Sequence, residues 1–189
     1  MELLLPMSLA GVTGLVLVWL VVTYNRLVRQ RNQVKASWAQ IDVQLKRRHN
    51  LVPNLVETVR AYAAHERDTL GAVVSARAGA VDATPAEVTG RAAAEHQLTR
   101  ALGRLFALQE AYPDLKANRN FASLQEELAT TEDKIAYARQ FYNSAVQTLS
   151  NTVQSVPSNV VAWLFTFRPP AYFEAEGAER SAVHVRFDA

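Results

Sequence analysis

Residues 121–152 read FASLQEELATTEDKIAYARQFYNSAVQTLSNT. Phe121, Leu128, Ile135, Tyr142 and Leu149 recur every seven residues, and Leu124, Thr131, Ala138, Ala145 and Thr152 follow each of them at a spacing of three. Five heptads in one register specify a long helix that presents a single packing seam. The helix must stop before Pro157, whose nitrogen has no hydrogen to donate. Working back along the chain, Thr84-Pro85-Ala86-Glu87 is a capping box with proline at the first helical position. It opens a second helix that turns Val88, Ala92, Leu98, Leu102, Leu105 and Tyr112 inward. Pro113 closes that helix, because the residue before a proline avoids the helical region.

Earlier still, Val34, Trp38, Ile41, Leu45, Val52, Leu55, Val59, Tyr62, Val73 and Ala76 form a third stripe at alternating steps of three and four. Arg48 and Glu66 interrupt it. The pattern predicts one helix from the N-terminal apolar segment to about Arg77, roughly 75–80 Å of helix beyond that segment. Pro53 must kink it or restart it. The apolar rhythm keeps its phase from Leu45 through Val52 to Leu55, which favours a kink. No stretch has strand alternation. The expected fold is all-α: an N-terminal transmembrane helix, then three long helices with a short C-terminal helical segment. The boundaries are 1–25 for the anchor, 26–173 for the bundle and 174–189 for a flexible tail.

The anchor follows from residues 3–25, which contain no charged side chain. About 20 apolar residues cross a bilayer core as a helix. Trp19 and Tyr24 lie toward the end of the run, where amphipathic rings favour the interface. A cleaved leader fits poorly, since Glu2 replaces the usual basic start and no small-residue cleavage site follows. Arg26, Arg29, Arg31 and Lys35 come directly after the run. The positive-inside rule then puts the body in the cytoplasm and the N-terminus outside. The same four cations are candidate membrane-surface contacts, each attracted to an anionic leaflet by about 1 kcal/mol.

Composition narrows function by exclusion. The chain has 189 residues, 49% apolar and 20% charged, with no cysteine and a net charge of +2. That is too apolar for a disordered chain. It leaves no thiolate catalysis and no cysteine-based metal site. The charge is too small and too dispersed for a nucleic-acid domain. Seven scattered glycines build no phosphate loop. His49, His65, His96 and His184 lack a second ligand at helical spacing and read as solvent-facing or cap-like. Glu126-Glu127 and Glu132-Asp133 are sequence neighbours, which diverge on a helix, so they make no catalytic pair. No serine lies in a nucleophile elbow. Neither a cofactor nor a metal nor a catalytic activity is expected. Lys46-Arg47-Arg48-His49 is a second basic cluster. On a straight helix it would stand about 30 Å from the span. Arg48 lies on the apolar stripe, so it needs an acid such as Glu132 or Glu127.

Three stretches carry a resemblance: Tyr24–Glu66 (YNRLVRQRNQVKASWAQIDVQLKRRHNLVPNLVETVRAYAAHE), Tyr112–Val146 (YPDLKANRNFASLQEELATTEDKIAYARQFYNSAV) and Val156–Glu174 (VPSNVVAWLFTFRPPAYFE). Together they make the chain similar to the LemA family of bacterial membrane proteins. The resemblance implies an all-helical up-down bundle on a membrane anchor. It implies no settled biochemical activity. A magnetosome-membrane branch of that family suggests roles in membrane organisation. Residues 78–90 match poorly, and Asn50 stands where relatives often have an acid.

The expected function is therefore that of a self-associating scaffold at the membrane, a homo-oligomer in contact with the lipid bilayer. A module that holds a membrane protein partner, such as an enzyme or transport complex, is the alternative. Trp163, Phe165 and Phe167 are the candidate oligomer or partner contacts. They either cap the bundle core or meet a neighbouring subunit or the membrane interface. Their spacing of two argues against one amphipathic helical face.

Overall fold

The computed structural model describes residues 4–83 and 88–173. The Thr84–Glu87 capping box and the tail from 174 onward, with His184, lie outside the described residues. The elements are α1 (Leu4–Arg60), α2 (Arg67–Asp82), α3 (Val88–Ala107), a 3₁₀ turn (Leu108–Glu110), α4 (Pro113–Lys116), α5 (Arg119–Gln154) and α6 (Ser158–Leu164). Among the described residues there is no strand. The fold is all-α, as the heptads require. Two compact units share the chain: Met1–Gln40 with Ala138–Ala171, and Ile41–Tyr137 with Tyr172–Ala189.

In the second unit the direction of each helix can be read from its side-chain partners. Arg77 on α2 reaches His49, while Arg67 shares a groove with Arg60, so α2 runs back along α1. On α3, Arg91 pairs with Asp42 and Thr99 with Arg48, and beyond its end Tyr112 reaches Glu66; α3 runs with α1. α5 starts at Asn118, bonded to Tyr62, and carries Glu132 to Arg48, so it runs back again. This is the up-down order that the resemblance implied, with α2 as an added reversal. The core holds Val52, Leu55, Val59, Leu98, Leu105 and Phe121, all at most 1% exposed. Burying each such side chain contributes about 1.5–3 kcal/mol.

The first helix departs from the sequence reading. It ends at Arg60, and a turn over residues 61–66 reverses the chain before α2. Ala63 stays buried in that turn, with its N–H on the Val59 carbonyl at 2.8 Å. An apolar stripe looks the same whether the helix continues or folds back onto its own core; Glu66, where the stripe broke, marks the reversal. At Pro53 the helix is continuous. Tyr112, ahead of Pro113, lies outside the helical region as expected (φ −125°, ψ 85°), but α3 already ends at Ala107 and Pro113 starts α4 instead. Asn118 caps α5, its Oδ1 accepting the Phe121 N–H at 3.0 Å.

In the first unit, α1 and α5 again run antiparallel. Trp38 packs on Tyr142 with ring centroids 5.3 Å apart, and Gln30 donates to Thr152 at 3.0 Å. Leu27, Val34, Tyr142, Val146 and Leu149 are buried. The Tyr142 hydroxyl donates to the Ala171 carbonyl at 2.9 Å, and burial raises its pKa. Ser158 ties the start of α6 to α5 by donating to the Thr152 carbonyl at 2.6 Å. α6 ends in a Schellman turn: the Phe167 N–H reaches the Ala162 carbonyl at 2.9 Å, and Thr166 takes the left-handed position with φ 56°.

Candidate functional site

The most concentrated polar chemistry lies inside the second unit, between α1, α3 and α5. Arg48 is 3% exposed. Its guanidinium donates to Thr99 Oγ1 at 2.6 Å and stands 3.2 Å from Glu132 Oε2 and 3.6 Å from Glu95 Oε2. The acid anticipated from its place on the stripe is thus Glu132, joined by Glu95 from α3. Arg47 meets Glu127 at 3.8 Å, with both side chains about half exposed. His49 corrects the expectation of a solvent-facing histidine. It is buried, with Nε2 2.8 Å from Glu95 Oε1. Its place on the helix points it at α3, and nothing in the neighbouring basic residues signals that. Nearby, Arg91 pairs with Asp42.

Pro53 adds a second constraint on the same turn. Its missing N–H leaves the carbonyl four residues earlier, that of His49, without its helical partner. Arg77 Nε fills the vacancy at 2.8 Å. The sequence held half of this signal, since a proline within a helix calls for an outside donor to residue 49.

This group ties α1 to α3 and α5. The histidine faces a carboxylate, and the Thr99 hydroxyl accepts from Arg48 and donates to its own helix at the Glu95 carbonyl, 3.1 Å away. A nucleophile–base pair needs the hydroxyl on the histidine. Among the described residues no cluster of three His, Asp or Glu side chains is placed to hold a metal. Replacing a whole buried ion pair by apolar side chains is often neutral to stability, whereas removing one partner costs about 3–5 kcal/mol.

The residues singled out from sequence gather in the first unit. Arg26, Arg29, Arg31 and Lys35 are all exposed on α1. Trp163 is 81% and Phe165 49% exposed, whereas Phe167 is 5% exposed. Phe167 therefore does not belong with them as an open contact: its ring lies 5.8 Å from Tyr24 and 5.1 Å from the Arg31 guanidinium, committed within the chain. The α1 segment ahead of them is long and apolar enough to cross a membrane, with only 11% of its most apolar window buried.

The model of the LemA family matches residues 37–187. The chain belongs to the LemA family. Among curated proteins this LemA-family chain is similar to magnetosome protein MamQ 1 and MamQ 2 of Paramagnetospirillum magneticum, each 26% identical over 183 residues, covering 84% of this chain and 67% of the relative. It is also similar to protein LemA of Metamycoplasma hominis, 24% identical over 159 residues, covering 84% of this chain and 72% of that protein.

Proposed function

We propose that this protein is a membrane-anchored helical bundle that acts as a self-associating scaffold or organiser at the cytoplasmic membrane, without catalytic activity. Residues 3–25 span the bilayer once, with the N-terminus outside and the bundle in the cytoplasm. The observation that carries this reading is the exposure, on every side, of the stretch of α1 from Leu9 to Val22. Leu9, Val12, Leu15, Leu17, Val18, Val21 and Val22 are 56–72% exposed. A helix apolar all round belongs inside a protein core or inside lipid. Here the protein does not cover it, and lipid does. Arg26, Arg29, Arg31 and Lys35 fix the orientation. Family membership and the kinship with magnetosome proteins support a role in organising membrane rather than in turnover of a substrate.

The test is the particle mass of the full chain in mild detergent, by light scattering with electron micrographs of the same fraction. Large regular particles are expected. Monomers at micromolar concentration refute self-association and move the weight to a module that holds a membrane enzyme or transport complex. The exposed Val43 and Tyr137 side chains, 63% and 67% accessible, give that second reading a surface. A single second protein co-purifying at a fixed ratio would establish it.

A further inference from the structure

Resting on the membrane span proposed above, we propose that α6 and the turn after it form a second membrane contact, which lies in the lipid surface beside the end of the span and dips Trp163, Leu164 and Phe165 into it.

Position comes first. The Phe165 ring is 4.7 Å from that of Tyr24, the aromatic residue where the apolar run of α1 gives way to the cations. α6 is thereby held at the level of the headgroups, the depth that Trp and aromatic rings prefer. Presentation comes next. α6 buries Val161 and Ala162 and leaves Val160, Trp163 and Leu164 between 57% and 81% exposed. The spacing of two between the aromatics counts against insertion only if one helix carries them all. The helix ends at Leu164, and the Schellman turn sends Phe167 inward while Phe165 stays out. Thr166 holds that turn in a left-handed conformation costly to a β-branched residue, and such strain gathers at functional sites.

Charge selects the occupant. No charged residue occurs from Gln140 through Phe167. Across residues 4–40 and 138–171 the charges are Arg26, Arg29, Arg31, Lys35, Arg139 and Arg168, all of them positive. A second copy docking by this surface would set cations against cations. A bilayer with anionic headgroups takes up both the apolar tip and its basic surroundings.

The experiment uses the full chain in nanodiscs of phosphatidylcholine and phosphatidylglycerol, with lipid brominated near either end of its acyl chain. One variant, Trp19→Phe with Trp38→Phe, keeps Trp163 alone. A second, Trp38→Phe with Trp163→Phe, keeps Trp19 as a reporter of the span. Bromine near the headgroup is expected to quench Trp163 more than bromine near the chain end. If Trp19 is quenched while Trp163 is untouched by bromine at both depths, the span stands and this inference falls. That holds whether Trp163 then emits as in water or as in a contact between copies. If Trp19 also escapes quenching, both readings fall together.

Discussion

Replacing Arg77 by methionine tests how the helix tolerates Pro53. In the native protein the His49 carbonyl, lacking a proline N–H, takes the Arg77 guanidinium at 2.8 Å, on a residue only 6% exposed. A hydrogen bond from a charged donor is worth about 1.5–3 kcal/mol, and an orphaned buried acceptor costs a similar amount. Arg77→Met should therefore destabilise by about 2 kcal/mol. In a chain of this size that lowers the melting temperature by about 4–8 °C. With Pro53→Ala in place, the new N–H can serve the same carbonyl, and the loss from Arg77→Met should shrink below about 1 kcal/mol. The four proteins of this cycle would be melted as full chains in detergent and followed by far-ultraviolet circular dichroism. Equal losses in the two backgrounds would show that Arg77 acts through something other than the vacant carbonyl.

Three other outcomes follow from the same structure. Arg48→Met takes the guanidinium away from the buried Glu95, which keeps only His49 beside it, and should cost about 3–5 kcal/mol, more than half of it recovered when Glu95→Gln is added; Arg47→Ala, at the half-exposed pair with Glu127, should cost under about 1 kcal/mol in the same melts. Tyr112 donates to Glu66, and this bond, followed by burial, raises its pKa above the usual value. Its contribution is complete below about pH 10 and disappears as pH climbs through the raised value, so melting temperatures should fall in that alkaline range and the fall should be smaller in Tyr112→Phe. Thr166→Gly relieves a left-handed β-branched residue and should raise stability by about 1 kcal/mol, read as an upward shift in melting temperature; a downward shift would mean the threonine side chain is needed there.

The sequence spoke most clearly where a helix buries a single seam. Phe121, Leu128, Ile135, Tyr142 and Leu149 are all buried, and Thr131 and Thr152 lie inside as their register demands. The partner of Arg48 was legible too, since a cation on an apolar stripe must meet an acid on a neighbouring helix. The reversal after Arg60 was not, because neither glycine nor proline marks it and Val73 and Ala76 continue the stripe of Tyr62. Tertiary burial of Ala63 and Leu70 decides it. His49 was not legible, because burial of a single side chain beside charged residues depends on which neighbour arrives, and that is a property of several helices at once; the burial of Phe167 decides between the two readings open for that residue. The aromatic tip was seen as a candidate, but its geometry depends on a turn at Thr166 that no propensity favours.

Heptad seams carry an ambiguity that Arg48 removes. Sliding one helix along another by seven residues, roughly 10 Å, would still set leucine and valine against leucine and isoleucine. Apolar packing alone barely distinguishes the two alignments. The slipped one, however, would drive a guanidinium into hydrocarbon and strand the Glu95 carboxylate. A buried cation therefore works as a key with one keyhole: it adds little to the depth of the native well and mostly raises its nearest rivals. In a bundle built from long, repetitive helices, that discrimination decides whether every copy presents the same face to its surroundings.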